Sequence, residues 1–299
     1  MKIAFLGSGE FGLPTLQRLT ITHDVVCVVT ALDKTAGRNR KPTATPIGQW
    51  AKESGLYVLN TDNVNATEMI KQICSMEVDA MVVIAFGQKL SQELIDAQRT
   101  MNLHASLLPR WRGAAPINAA VLHGDQCSGV SVITLAQKMD AGLVLGQVST
   151  NIGETETAGE LHDRLALLGP ELVLEVLASD DTGKEQDESL VTYAPKLSRG
   201  DAMLDLSQDA DTVARTIRGF SPWPSCHLTI SGVDCKILNA IAKNSSGDVG
   251  EVLEDGTIAT GKGSIEILEM KPSGSKAMSW NDFCNGRSVQ VGCLCEVPK

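Results

Sequence analysis

The fold is decided by the stretch Ile3–Pro14, IAFLGSGEFGLP, near the amino terminus. Its apolar start predicts a buried strand, and Gly7, Gly9 and Gly12 follow in the G-x-G-x-x-G spacing of a strand–turn–helix unit. Such a turn either binds the pyrophosphate of a dinucleotide or brings a helix close to a strand. Asp33 follows Gly12 by 21 residues, where a ribose-binding acid would lie. An NAD-dependent oxidoreductase is therefore one hypothesis.

The composition is that of a globular protein, with 299 residues, 43% hydrophobic and 21% charged. A net charge of −10 argues against coating nucleic acid or anionic membrane over the whole surface, so any polyanion site must be local. The first apolar run is too short for a signal peptide, and no stretch approaches membrane-spanning length. We expect a cytoplasmic protein without membrane contact. The eight cysteines form no C-x-x-C pair, and we expect neither a disulfide framework nor a metal site.

The chain divides by pattern into two parts and a linker. Buried-strand runs such as Lys2–Leu6, Ala80–Phe86 and Met101–His104 alternate with helix-like segments, which predicts a doubly wound, Rossmann-like parallel sheet of the α/β class. After a polar, acidic stretch, short β-prone runs between Gly, Asp and Asn turns predict a smaller antiparallel, OB-like β-barrel. We predict a first domain over residues 1–183, a linker over 184–202 and the barrel over 203–299.

The chemistry concentrates just after one predicted strand. Asn102 and His104 alternate at its end and so project to the same side, toward the crevice where open α/β sheets bind ligands. Taken alone, such a pair is more often structural. The loop SLLPRWRG (106–113) that follows is poorly explained as core. A third candidate, Asp140, lies in an Asp-Ala-Gly sequence that by itself is an ordinary turn.

These segments together resemble a known family. NLHASLLPRWRGAAPINAAVLHGD (102–125), followed by MDAGLVLGQ (139–147), closely resembles the folate-dependent formyltransferases. TYAPKL (192–197), IRGFSPWPSC (217–226) and MKPSGSKAMSWNDFCNGR (270–287) resemble the branch that acts on tRNA. Members that formylate nucleotide sugars or other amines usually lack this carboxyl-terminal module. The resemblance implies transfer of a formyl group from 10-formyltetrahydrofolate to the α-amine of methionyl initiator tRNA.

The resemblance also gives the polar residues their roles. Formyl transfer passes through a tetrahedral intermediate that carries an oxyanion, which needs hydrogen-bond donors. Asn102 and His104 would be those donors, and Asp140 would hold His104 charged and relay protons as the amine attacks and N10 leaves. This chemistry needs no metal, no NAD and no covalent intermediate.

Two loops are implied to form the folate site. The first contains Ser106, Leu107, Leu108 and Pro109. The second is AFGQKL (85–90), whose Phe86, Gly87 and Gln88 would form the other wall. Many relatives carry Tyr where Phe86 stands, so this second wall departs from the family pattern.

A basic loop is the implied tRNA contact. ALDKTAGRNRKPTATP (31–46) carries four basic residues against one acid, Asp33. Phosphate contacts by such residues supply affinity that weakens with salt. The expected tRNA-binding residues are Lys34, Arg38, Arg40 and Lys41. Residues 200–299 are acidic instead, with nine Lys plus Arg and thirteen Asp plus Glu, and Trp223 is interpreted there as packing rather than base stacking.

Three alternatives stay open at this level. A formyltransferase with a different amine acceptor would share the Asn102, His104 and Asp140 set. An NAD-dependent oxidoreductase is suggested by the three glycines. A catalytically inert RNA-binding protein is the third, and no obligate protein partner is indicated.

Overall fold

The computed structural model describes residues 1–36 and 41–298, with the side chains of Thr35, Ala36 and Lys41 outside that description. Two compact units share the chain. Unit 1 contains the described parts of Met1–Arg112, Gly129–Thr150 and His162–Tyr193; unit 2 contains those of Gly113–Ser128, Asn151–Leu161 and Ala194–Lys299. The sequence-based division at residues 183 and 203 remains a prediction.

The helices and strands follow the predicted rhythm in the first half of the chain. The strands are β1 (Lys2–Gly7), β2 (Asp24–Thr30), β3 (Lys34–Ala36), β4 (Lys41–Thr43), β5 (Val58–Asn60), β6 (Ala80–Ile84), β7 (Arg99–His104), β8 (Arg112–Gly113), β9 (Cys127–Thr134), β10 (Val144–Asn151), β11 (Tyr193–Ala194), β12 (Cys226–Ile230), β13 (Val233–Lys243), β14 (Ile258–Ala259) and β15 (Ser264–Pro272). The α-helices are α1 (Leu13–Thr22), α2 (Pro46–Glu53), α3 (Thr67–Cys74), α4 (Gln92–Ala97), α5 (Pro116–Leu122), α6 (Ala158–Ala166), α7 (Gly169–Ala178), α8 (Ala210–Gly219) and α9 (Trp280–Arg287).

The main sheet has seven strands in the order β10-β9-β7-β6-β1-β2-β5. The five strands from β7 to β5 pair in parallel, whereas β9 runs antiparallel to β7. The Rossmann-like α/β prediction is confirmed, with a mixed sheet in place of a wholly parallel one. The parallel strands end at one edge of the sheet, which is where Asn102 and His104 stand.

The glycines of the opening stretch serve close packing. A Cβ added to Gly7 would lie 2.9 Å from the Ile84 carbonyl oxygen, and one added to Gly12 would lie 3.1 Å from Phe5 and 3.2 Å from Ile84 side-chain atoms. Gly12 is followed at once by α1, so a larger residue here would push the helix away from β1 and β6. This approach of helix to strand explains Gly7 and Gly12, whereas a Cβ on Gly9 would make only an ordinary contact with Ala85, at 3.4 Å.

Unit 2 is built on an antiparallel sheet of order β12-β13-β15-β14. Its core includes Leu228, Ile237, Ile265 and Met270 from these strands, together with side chains of α8 and α9 such as Ile217 and Phe283. The predicted antiparallel barrel domain is confirmed as a small antiparallel sheet closed by helices.

Trp223 departs from its prediction. Its side chain is 53% exposed, so the interpretation of Trp223 as interior packing is wrong. The buried residues of that segment are its neighbours Gly219, Phe220, Ser221, Pro224 and Ser225. No helix within residues 1–36 and 41–298 has the length and hydropathy needed to cross a membrane.

Candidate active site

The carboxyl end of β7 brings two predicted residues to one face. Asn102 is half-buried, opposite Val83 of β6 and Ile133 of β9. His104, two residues on, is only 6% exposed. Alternation along the strand places both on the same side of the sheet, as the sequence predicts.

The His104 ring lies between two acceptors. Its Nδ1 is 3.6 Å from Asp140 Oδ2, and its Nε2 is 2.9 Å from the carbonyl oxygen of Trp111. A carbonyl oxygen can only accept, so Nε2 donates its N–H to Trp111, while Nδ1 faces the Asp140 carboxylate beyond hydrogen-bond distance. The structure therefore joins His104 and Asp140, which are far apart in sequence, into one pair.

Asp140 stands on the turn between β9 and β10. Its backbone has a φ of 52°, in the left-handed region that aspartate tolerates better than most residues. The turn is closed by Thr134, which pairs with Leu143 through both backbone and side chain. A Cβ on Gly142 would lie 1.7 Å from the Thr134 carbonyl oxygen, so glycine is required there.

The loop after β7 is shaped by two residues that the sequence analysis missed. The fully buried Ser131 hydroxyl donates to the Ser106 carbonyl (2.6 Å) and accepts from the Leu108 N–H (3.1 Å). Gln147 Nε2 donates to Ser131 Oγ (2.8 Å) and to the Leu108 carbonyl (2.9 Å). Ser106 Oγ donates to the Arg110 carbonyl, and the Leu108–Pro109 peptide is cis. The backbone of the predicted folate loop is thereby fixed.

The second predicted wall uses its side chains elsewhere. Phe86 is 4% exposed and belongs to the same hydrophobic core as Leu90 and Leu94. Gln88 accepts from the Val64 N–H (2.8 Å) and donates to the Thr61 carbonyl (2.9 Å). What this wall offers a ligand is the exposed backbone around Gly87, which has a φ of 81°.

A cavity of about 450 Å³ lies directly beyond this wall. None of the predicted site residues lines it, so the cavity is separate from the His104–Asp140 pair. The complete lining is Asn65, Lys89, Leu90, Ser91, Gln92, Ile95 and Gln137.

The basic loop is described only at its base. β3 and β4 pair antiparallel, with Lys34 opposite Thr43, and the Lys34 side chain is exposed. The predicted contacts Arg38 and Arg40, and the side chain of Lys41, lie outside the described residues. No cluster of three or more metal-ligating His, Cys, Asp or Glu side chains occurs in the part of the chain that the structure describes.

Comparison with known families accounts for nearly the whole chain. Residues 1–177 match the formyl transferase family, and residues 196–288 match the formyl transferase C-terminal domain. The methionyl-tRNA formyltransferase of Methylococcus capsulatus is 40% identical over 97% of this chain and 98% of its own length. That of Pseudomonas paraeruginosa is 39% identical over 97% of each chain.

The chain belongs to the methionyl-tRNA formyltransferase family. Solved structures share its fold at lower identity. HypX from Aquifex aeolicus, solved with tetrahydrofolic acid, is 19% identical with a TM-score of 0.64, covering 97% of this chain and 48% of HypX. The sugar 3N-formyl transferase WlaRD is 16% identical with a TM-score of 0.65, covering 92% of this chain and 99% of WlaRD. This formyltransferase therefore shares its fold with a sugar 3N-formyl transferase, so the fold alone does not determine the acceptor.

Proposed function

We propose that the chain transfers the formyl group of 10-formyltetrahydrofolate to the α-amine of methionyl initiator tRNA, in the cytoplasm. The supporting observation is the buried His104–Asp140 pair, with Nδ1 3.6 Å from Oδ2, beside the fixed Ser106–Pro109 loop. Identity of about 40% over the full length to curated methionyl-tRNA formyltransferases supports the acceptor. Both matched domains are present, including the carboxyl-terminal one that the tRNA branch carries.

The geometry is consistent with the roles that we propose for the three polar residues. The donor supplies an activated formyl carbon, and the amine attacks it directly. The Asn102 amide and a His104 N–H stabilise the oxyanion of the tetrahedral intermediate. At 3.6 Å, the separation of His104 Nδ1 from Asp140 Oδ2 is longer than a hydrogen bond, so the Nδ1 side of the ring is held less tightly than Nε2, which bonds the Trp111 carbonyl at 2.9 Å. Asp140, 17% exposed at its side chain, can take the proton of the attacking amine and return it to N10 as the bond between N10 and the formyl carbon breaks, so that tetrahydrofolate leaves as a neutral amine.

The folate loops offer mainly backbone groups and apolar atoms. Leu107 and Pro109 are partly exposed, whereas Ser106 and Leu108 are buried and held through Ser131. In the second wall, Gly87 exposes its backbone. Phe86 packs in the hydrophobic core and Gln88 bonds the Val64 N–H, and both contacts hold this backbone in place. We propose that these seven residues form the donor site, with the pterin edge read by main-chain N–H and C=O groups.

One assay tests the proposal. Folded protein is given 10-formyltetrahydrofolate with methionyl initiator tRNA, and formyl-methionine is measured. We expect transfer, and we expect His104→Ala and Asp140→Ala each to lower kcat by about 10²- to 10⁴-fold, since each removes acid–base or oxyanion stabilisation. tRNA affinity should persist in both variants.

The controls separate the alternatives. Gln49→Ala removes an exposed amide on α2 that bonds only its helix neighbour Glu53 in the structure, and should leave kcat unchanged. Transfer to an amino sugar but not to methionyl-tRNA would favour the alternative in which the acceptor is a small amine. No transfer to any amine, with tRNA still bound, would favour the inert RNA-binding alternative.

A further inference from the structure

We propose that Gln186 is a positioning residue for the formyl transfer reaction, holding the Asp140 turn beside His104 through the buried cation Arg112. This inference rests on the proposed function. Gln186 lies in the polar, acidic stretch after α7, within unit 1, and is remote in sequence from both residues that it connects.

The His104 pair depends on two strained residues. Asp140 and Trp111, which face the two ring nitrogens of His104, have φ values of 52° and 64°. Non-glycine residues in the left-handed region persist only where surrounding contacts determine the backbone. Both partners of His104 must therefore be held from outside their own turns.

Gln186 supplies that support for Asp140. Its Nε2 donates to the carbonyl oxygens of Asp140 and Gly142, both at 2.8 Å, and so bridges the turn. Its Oε1 accepts from Arg112 Nε at 2.9 Å. A guanidinium can only donate, which forces the amide oxygen toward Arg112 and the amide nitrogen toward the two carbonyls. Glutamine suits this position, because a glutamate could accept from Arg112 but could not donate to the turn.

Arg112 anchors the arrangement from the interior. Its side chain is only 1% exposed, and Nη2 lies 2.8 Å from Glu188 Oε1. Nη1 and Nη2 make no well-directed hydrogen bond within residues 1–36 and 41–298, so the Glu188 contact is an ion pair by distance, and Nε to Gln186 is the directed bond. Leaving a buried charge without such a partner is costly, which keeps Gln186 in place.

A second bridge runs parallel to the first. Lys138 Nζ is 2.6 Å from Glu188 Oε2, at the start of the same turn. The hydrogen bond from Lys138, together with the contact to Arg112, holds the pKa of Glu188 below its usual value, and the same bond raises the pKa of Lys138. Glu188 is 61% exposed, so solvent screens this bridge, and it is the weaker of the two.

The same segment holds the other neighbour of His104. Thr192 Oγ1 accepts from the Trp111 N–H (2.9 Å), and the Thr192 carbonyl accepts from the Arg112 N–H (2.9 Å). Gln186 and Thr192 therefore hold the backbone of both neighbours of His104, Asp140 through its carbonyl and Trp111 through its N–H. Catalytic groups lose rate steeply with small displacements, because about 1 Å of misplacement can cost about 10²-fold.

Two substitutions test the role of the amide donors. Gln186→Glu keeps the acceptor toward Arg112 but loses the donors, and Gln186→Met loses both. We expect each to lower kcat by about 10- to 100-fold while the KM for methionyl-tRNA changes less than about twofold. Gln49→Met is the matched control, since Gln49 is a surface glutamine bonded to Glu53. Full kcat in Gln186→Glu would overturn the proposal.

A double-mutant cycle separates positioning from a general structural role. If Gln186 acts through Asp140, the double variant Gln186→Met with Asp140→Asn should be no slower than Asp140→Asn alone. A double variant slower by the product of both factors would overturn the proposal. If Gln186→Met does not fold, the same cycle is run with Gln186→Glu. An unmodified chain that fails to formylate methionyl-tRNA would instead overturn the proposed function.

Discussion

Ser131 makes three hydrogen bonds with one buried hydroxyl, to Ser106, Leu108 and Gln147. Ser131→Ala leaves the Ser106 carbonyl and the Leu108 N–H without that partner. We expect the free energy of unfolding to fall by about 1–3 kcal/mol and the KM for the formyl donor to rise, because the donor loop loosens. Urea unfolding and steady-state kinetics measure both quantities.

Ser128→Ala is the matched control for Ser131→Ala. Ser128 is also buried and on β9, at 4% exposure, but no contact ties it to the donor loop in the structure as described. A donor KM that stays unchanged in Ser131→Ala, or rises equally in Ser128→Ala, would contradict the assigned role.

The sequence predicted the candidate catalytic residues better than the residues that position them. Asn102 and His104 could be identified because strand alternation and a following Arg-rich loop are local signals, and the resemblance added Asp140. Ser131 could not, because in GVSVITLA it is only one polar residue in a buried strand. Its role arises from contacts 25 residues back and 16 residues ahead in the chain, which no local pattern encodes.

At the scale of elements, β3 and β4 pair at the base of the segment that is predicted to contact tRNA. Lys34–Ala36 pairs with Lys41–Thr43, which brings both ends of the basic segment together. Replacing Arg38, Arg40 and Lys41 by Ala should raise the KM for tRNA and leave the kcat largely unchanged. The slope of log affinity against log salt should lose about one unit for each phosphate contact removed.

The control for the basic segment is Lys71→Ala. Lys71 is exposed on α3 and pairs with Glu68, so its removal changes net charge equally per site without touching the hairpin. Tight binding with an unchanged salt slope in the triple variant would count against this segment as a phosphate contact.

The helices and strands were largely predictable from the sequence, whereas the polar contacts between residues that are distant in sequence were not. The opening glycines predict a strand, a tight turn and a helix, and packing against Phe5 and Ile84 explains Gly7 and Gly12. The acidic stretch around residues 179–189 gives no comparable signal. Gln186 there acts on Arg112 and Asp140, 74 and 46 residues away, and hydrophobic periodicity carries no information about such polar contacts.

At the scale of the whole molecule, we expect the buried thiols to lower the free energy of unfolding as the pH rises into the alkaline range. Burial raises the pKa of Cys226 and Cys295 to about 12, and of Cys27 and Cys235 to about 11, above the ordinary thiol value of 9.0. Above pH 9.0 the unfolded chain loses thiol protons that the folded chain keeps, so the free energy of unfolding falls as pH rises. Each such thiol contributes at most about 1.4 kcal/mol per pH unit.

Urea unfolding under reducing conditions at about pH 8 and about pH 10 measures the total. Cys226→Ala should flatten the pH dependence, whereas Cys127→Ala, at an exposed site, should not. Equal slopes in the unsubstituted chain and Cys226→Ala would show that this thiol does not contribute.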